Sequence, residues 1–294
     1  MRRLFVATLA IASAPMHAAT LCGVFDDLLP FVPAAGWPNG WQGFVRIDNS
    51  LYGRDRTVHF TATDDAGASY RLSVNVDAYE TLHFNSEDLE YGNTAKGGLR
   101  GTRAAPTGHW RLCLDTFGQD VTSYVRTRDG FLTSMTLVVE GNDFTCVVHC
   151  PEWLVPVFNP GHNVNQVSVL RIVNNSDEDK IVAVVGTRED GSSRHPNGDR
   201  RRVEGYVPSG EVAELTATQL ETGVGLPLHL CDSSGNCVAS NGSLGEPDGK
   251  WSLRIEGFLG TPSDELVVMS LMRSPTGHVT NLSAGGDDAG SIRR

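Results

Sequence analysis

Phe84-Asn85-Ser86-Glu87-Asp88-Leu89-Glu90-Tyr91-Gly92 returns 131 residues later as Leu215-Thr216-Ala217-Thr218-Gln219-Leu220-Glu221-Thr222-Gly223. Each stretch carries the marks of a single helical turn. Asn85 and Thr216 are N-cap residue types, Asp88 and Gln219 follow three residues on, and Gly92 and Gly223 can end the turn. Thr-x-x-Gln is a capping box, and Asn-x-x-Asp approximates one, because the cap side chain and the third helical side chain each satisfy a backbone N–H of the other. The same local solution written twice in different residues points to a duplicated unit.

Other matches follow in the same order. Phe44-Val45-Arg46-Ile47-Asp48-Asn49 returns as Leu170-Arg171-Ile172-Val173-Asn174, Asp65-Ala66-Gly67 as Glu189-Asp190-Gly191, and Gly108-His109-Trp110-Arg111-Leu112 as Gly249-Lys250-Trp251-Ser252-Leu253. Ser123-Tyr124-Val125-Arg126 returns as Ser270-Leu271-Met272-Arg273, and upstream Pro30-Phe31-Val32-Pro33 matches Pro156-Val157-Phe158-Asn159. The offset drifts from 124 to 147 residues, and the gains fall in polar stretches near Arg194–Arg202 and Leu228–Ser243. Insertions are therefore expected in loops.

The runs between the matches alternate with a period of two. Val58, Phe60 and Ala62 alternate with polar neighbours, as do Leu72, Val74 and Val76, then Trp110, Leu112 and Leu114, and in the second copy Trp251, Leu253 and Ile255. That is the period of a half-buried strand, and Asp-Gly and Thr-Gly signals part the runs. The chain is expected to be all-β: two tandem immunoglobulin-like antiparallel β-sandwich domains, each with one short helical turn. The expected divisions are a signal peptide over 1–19, a first sandwich over 20–141, a second over 142–284 and a disordered tail over 285–294. Trp110 and Trp251 read as core plugs. The repeated pairs Arg46 with Arg171 and Arg126 with Arg273 suit aromatic stacking or cross-strand carboxylate pairs, with anion binding as the alternative.

Arg2-Arg3, the apolar run from Leu4 to Ala12 and the small residues Ala18 and Ala19 have the pattern of a Sec-type secretory signal. Its apolar part is too short to span a bilayer, and no later segment is apolar enough to do so, so no transmembrane segment is expected in the mature chain. Removing the leader leaves 22 basic against 35 acidic residues, a net charge of about −13. Such a field disfavours nucleic acid. All six cysteines, Cys22, Cys113, Cys146, Cys150, Cys231 and Cys237, follow the leader. In a secreted or periplasmic protein an even count reads as disulfides, with Cys146–Cys150, Cys231–Cys237 and Cys22–Cys113 as the simplest of about fifteen pairings.

No HExxH, GxSxG, Walker loop or GxGxxG pattern occurs. Cys146, His149 and Cys150 have the chemistry of zinc ligands, but in an oxidising compartment a disulfide competes. The acidic loop Asn174–Asp179 is a candidate for calcium, without an EF-hand spacing. Trp37, Trp41 and Trp153 do not repeat between the copies and are the candidate ligand-binding residues. Trp37 and Trp41 bracket Pro38-Asn39-Gly40, so that loop could recognise a ligand, with packing over the sandwich end as the alternative.

Taken together, Gly43-Phe44-Val45-Arg46, Phe84-Asn85-Ser86, Trp110-Arg111-Leu112, Asp129-Gly130-Phe131-Leu132-Thr133-Ser134-Met135, Phe158-Asn159-Pro160-Gly161 and Ser274-Pro275-Thr276-Gly277-His278-Val279-Thr280-Asn281-Leu282 resemble a family of secreted bacterial proteins with a tandem β-sandwich region, found alone or appended to extracellular hydrolases. The resemblance implies an accessory or stand-alone module and brings no catalytic residues with it. The expected function is an exported, non-enzymatic protein for binding, adhesion or surface association, with a glycan, a cell-surface protein or another copy of itself as partner. An extracellular hydrolase on a sandwich scaffold and a purely structural envelope protein are the alternatives. The compartment reading makes a direct prediction: thiol titration of the exported protein under denaturing conditions should find almost no free thiol. Six free thiols, or stoichiometric zinc, would contradict it.

Overall fold

The computed structural model describes residues 22, 27–38, 40–49, 53–115, 120–135, 152–195, 201–247, 249–257 and 265–283. The signal segment, the Cys146–Cys150 pair, the junction at 141–142 and the tail lie outside these residues.

The chain is all-β and antiparallel. The first unit comprises β1 (Asp27–Val32), β2 (Gln42–Asp48), β3 (Arg56–Asp64), β4 (Ser69–Val76), β5 (Thr81–Asn85), α1 (Ser86–Tyr91), β6 (Trp110–Asp115), β7 (Asp120–Arg126) and β8 (Leu132–Ser134). The second comprises β9 (Glu152–Phe158), β10 (Val167–Asn174), β11 (Lys180–Arg188), β12 (Arg202–Val207), β13 (Val212–Thr216), α2 (Ala217–Thr222), β14 (Gly242–Ser243), β15 (Trp251–Gly257), β16 (Leu266–Arg273) and β17 (Val279–Asn281). The first unit has sheets in the order β1-β6-β3-β4 and β5-β2-β7-β8. The second repeats both, as β9-β15-β11-β12 with β14 added at the edge, and as β13-β10-β16-β17. Even the register repeats: Arg46 pairs with Thr122 across β2 and β7, and Arg171 with Met269 across β10 and β16.

Alternation along each strand builds the two cores. Val58, Phe60, Ala62, Trp110, Leu112 and Leu114 point into the first, and Val182, Val184, Trp251, Leu253 and Ile255 into the second. Trp110 and Trp251 are 0% and 1% exposed. Burying one such ring is worth roughly 4–6 kcal/mol at about 25 cal/mol per Å². Both helical turns carry reciprocal capping boxes. Asn85 Oδ1 accepts from Asp88 N at 2.9 Å and Thr216 Oγ1 from Gln219 N at 3.3 Å, with Gly92 and Gly223 at positive φ closing the turns.

The two helical turns also hold something the capping pattern does not announce. Glu90 Oε1 accepts the buried Trp110 indole N–H at 3.1 Å and the Ala35 N–H at 2.7 Å. Glu221 Oε1 does the same for Trp251 at 3.1 Å and for Gly161 N at 2.9 Å. Each carboxylate thus ties the core tryptophan to the loop between the first two strands of its unit. Burial pushes the Glu90 carboxyl above its usual range.

The insertion at Leu228–Ser243 forms the edge strand β14 and a loop closed by Cys231–Cys237. Ser233 N of that loop donates to Asp179 at 2.6 Å. The other disulfide, Cys22–Cys113, fastens the N-terminal segment to β6 across 91 residues. On a chain-entropy account, a link of that span stabilises by about 4–5 kcal/mol.

Glu90→Ala would strand the buried Trp110 indole N–H and the partly buried Ala35 N–H, at about 1–3 kcal/mol for a fully buried donor. Denaturant unfolding should show a loss of about 2–4 kcal/mol for Glu90→Ala and much less for Glu90→Gln, whose amide oxygen can still accept. Equal losses for the two variants would contradict the clamp.

Candidate functional site

The two sandwiches meet end against face. The end of the first is formed by the β1–β2 loop, the β3–β4 turn and the residues leading into β6. It abuts the outer face of the β13-β10-β16-β17 sheet. Leu170 and Ile172 of β10 point into the second core, so the alternating residues Val169, Arg171 and Val173 point outward, yet all are buried. Met269 and Leu271 of β16 and Val279 of β17 join Phe31, Trp41, Val125 and Met135 in a third apolar cluster, with Trp37 at its margin.

Arg171 sits at the centre of this joint with a side chain 0% exposed. Its Nη1 and Nη2 donate to Asp65 Oδ2 and Oδ1 at 3.0 and 2.5 Å, a two-pronged pair with the β3–β4 turn of the other sandwich. Nη1 also donates to Glu214 Oε1 at 3.1 Å, and Nε to the Pro30 carbonyl at 3.3 Å. The Phe31 ring lies beneath the guanidinium at 5.1 Å. Opposite charges and acceptors around it keep Arg171 firmly protonated despite complete burial. Asp65 is itself positioned from below, where Oδ2 accepts His109 N at 3.0 Å. Gly108 makes room for this: a Cβ there would lie 2.4 Å from the Asp65 carboxylate.

Further contacts surround the pair. Arg111 reaches from β6 to the carbonyls of Gly210 and Asn174, and burial brings its pKa down to about 10. Val212 N donates to Asp65 O at 3.2 Å, Trp41 Nε1 to Gly277 O at 2.6 Å and Thr133 Oγ1 to Val279 O at 2.9 Å. Arg273 stacks over Trp41 at 5.1 Å and reaches Glu214 at 3.5 Å.

The structure therefore brings Trp37 and Trp41 together at the joint. Trp41 is 2% exposed, so the packing alternative describes its position, and binding a ligand on its ring would require the joint to open. Trp153 lies apart from them, on β9, half-buried against the second core. Of the repeated arginines, Arg171 is a buried cross-sandwich tie, while its counterpart Arg46 pairs with Asp48 on the outer face of β2. Oxygens in the calcium-candidate loop are engaged by protein donors. Asn174 Oδ1 accepts from Ser176, and Asp179, held below the usual carboxylate range by its partners, accepts from Ser209 N and Ser233 N. Among the described residues no three His, Cys, Asp or Glu side chains converge to hold a metal, and no helix is long and apolar enough to cross a membrane.

Among the described residues nothing fills the same end of the second sandwich. Pro160, His162, Asn163, Val164, Asn165, Glu189, Gly249 and Lys250 line a pocket of about 420 Å³. Its scaffold copies the filled end. Glu189 Oε2 accepts Lys250 N at 3.2 Å, as Asp65 accepts His109 N, and a Cβ on Gly249 would come within 2.2 Å of Glu189. Val157, the counterpart of the fully buried Phe31, is 41% exposed. Neither Glu189 nor Lys250 stands out from the linear pattern as a site residue, although both sit inside the repeat matches that locate this end. Comparison of the chain with family models, curated proteins and solved structures finds no match.

His109 is the titratable group most exposed to consequence at the joint. It is 1% exposed between the rings of Phe31 at 4.6 Å and Trp37 at 4.2 Å, and neither ring nitrogen has a hydrogen-bond partner. Glu214 Oε1 stands 3.9 Å from Nε2, beyond hydrogen-bond reach. Burial, reinforced by Arg171 and Arg273 and opposed by Asp65, brings its pKa from 6.5 down to about 3. The unfolded chain takes up the proton first, so this contribution is whole above about pH 6.5 and is lost as pH falls toward 3, at about 1.4 kcal/mol per pH unit. Between pH 7 and pH 5 the wild type should lose about 2 kcal/mol more stability than His109→Phe in denaturant unfolding. Parallel pH profiles would contradict this.

Proposed function

We propose that this is an exported, non-enzymatic binding protein of the secreted tandem-sandwich kind that its repeated motifs resemble, acting at a cell surface or as an accessory module. Two disulfides fit an oxidising compartment. The observation that carries the binding reading is the contrast between the two equivalent ends. One is filled by a face of the neighbouring sandwich, and the other presents the same backbone scaffold with no described residue filling it, Val164, Glu189 and Lys250 lining its pocket and Val157 exposed on the strand before it.

The chemistry of that open end favours a protein partner over a glycan. It offers exposed aliphatic side chains beside opposite charges, which suit another polypeptide surface. Sugar recognition more commonly uses a flat aromatic face, and the indoles of Trp37 and Trp41 are at the joint instead.

The test is to immobilise the mature chain and probe it with cell-surface protein extracts and a glycan array, alongside a hydrolase substrate panel. Saturable binding to protein is expected, weakened about tenfold or more by Val157→Asp. Turnover abolished by a single carboxylate or serine substitution would overturn the reading.

A further inference from the structure

The joint between the sandwiches joins unlike surfaces, an end to a face, and so has a donor half and an acceptor half. Because the units are copies, each half occurs twice. The second sandwich's face is covered by the first sandwich's end. The first sandwich's face and the second sandwich's end are the remaining two halves, and no described residue of the other sandwich covers either of them.

Among the described residues, the face left uncovered is the outer side of β5-β2-β7-β8. Phe44, Arg46 and Asp48 of β2 occupy the register positions of Val169, Arg171 and Val173, while Thr122 and Tyr124 of β7 occupy those of Met269 and Leu271. All five residues of the second face are buried, whereas all five of the first are only half-buried. At the other end Val157 replaces Phe31, Glu189 replaces Asp65 and Lys250 replaces His109, and Glu189 and Lys250 line a pocket there. Charge complementarity at the centre is preserved: Arg46 stands where Arg171 stands, and Glu189 where its carboxylate partner Asp65 stands.

We propose that copies of this chain associate head to tail, the β5-β2-β7-β8 face of one copy seating on the open end of the second sandwich of the next, with Arg46 directed at Glu189. The inference rests on the binding reading and names a second copy as the partner. Asp48 and Thr122, in place of Val173 and Met269, make this contact more polar than the internal one. It is therefore weaker and sensitive to salt. A heterologous contact of this kind extends into a filament unless its rotation closes a ring.

Sedimentation velocity on the mature chain, over a concentration series at low and high salt, tests it. The expected result is a sedimentation coefficient that rises with concentration and less so at high salt. Arg46→Glu and Glu189→Arg should each weaken association about tenfold or more, and the double exchange should restore it. Asp48→Val with Thr122→Met, which rebuilds the internal face on the free one, should tighten it about tenfold or more. A chain that stays monomeric with and without these two apolar substitutions overturns the inference, as does association that the charge exchanges leave unchanged. Foreign protein binding at Val157 in a chain that shows no self-association would sink this inference alone and leave the binding reading standing.

Discussion

One guanidinium organises the arrangement of the two halves. Arg171 leaves water completely, and that is tolerable only because Asp65, Glu214 and the Pro30 carbonyl together meet its donors while Phe31 covers its face. A buried charge held this way adds little net stability over a well-packed apolar substitute, but losing one partner costs about 3–5 kcal/mol. What such a network supplies is geometry. The donors match their acceptors in one seating of the second sandwich's face on the first sandwich's end, and the surrounding contacts of Trp41, Arg111, Thr133 and Val212 fall into place from it.

Divergence between the copies follows from this asymmetry. Where a surface is covered, apolar residues occupy it: Phe31, Trp37 and Trp41 at the end, Met269, Leu271 and Val279 on the face. On the equivalent surfaces several positions turn polar or smaller, as at Asn163, Val157, Asp48 and Thr122, while Phe44, Tyr124 and Leu132 keep apolar area there. Terminal units of a repeat array show the same trend, since an apolar face with no neighbour invites aggregation. Cores, helical turns and strand register changed far less, because the same contacts are made inside both units.

How much of this is legible in the linear sequence depends on the range of the interaction. The capped turns are fully local and were readable from Asn85-x-x-Asp88 and Thr216-x-x-Gln219. Strand alternation placed Trp110 and Trp251 in the cores, and cysteine spacing anticipated Cys231–Cys237. The joint was not legible. Arg171 and Asp65 are 106 residues apart, and nothing in the neighbourhood of either says that the pair is buried between units. The repeated arginines look equivalent on a one-dimensional match, yet Arg171 is wholly buried and Arg46 half-buried, because among the described residues only one of their sheets is covered. Glu90 and Glu221 escape a linear reading for a related reason. Each stands in plain view within the repeat, but its indole partner comes from a strand 20 or 30 residues further on.

The carboxylate clamps have a further consequence for how such a protein changes over time. Ala35 and Gly161 are held from within by Glu90 and Glu221 through their backbone N–H groups, and only the anchor position itself is restricted, since a Cβ at Gly161 would come within 2.8 Å of the Glu221 carboxylate. The loop beyond each anchor is thus moored to the core by a contact indifferent to its own side chains. Sequence there can drift widely, from Trp37 and Trp41 in one unit to Asn163 and Gln166 in the other, without loosening the sandwich beneath. Recognition and folding are uncoupled at that anchor, so new partners can be tried on an unchanged frame.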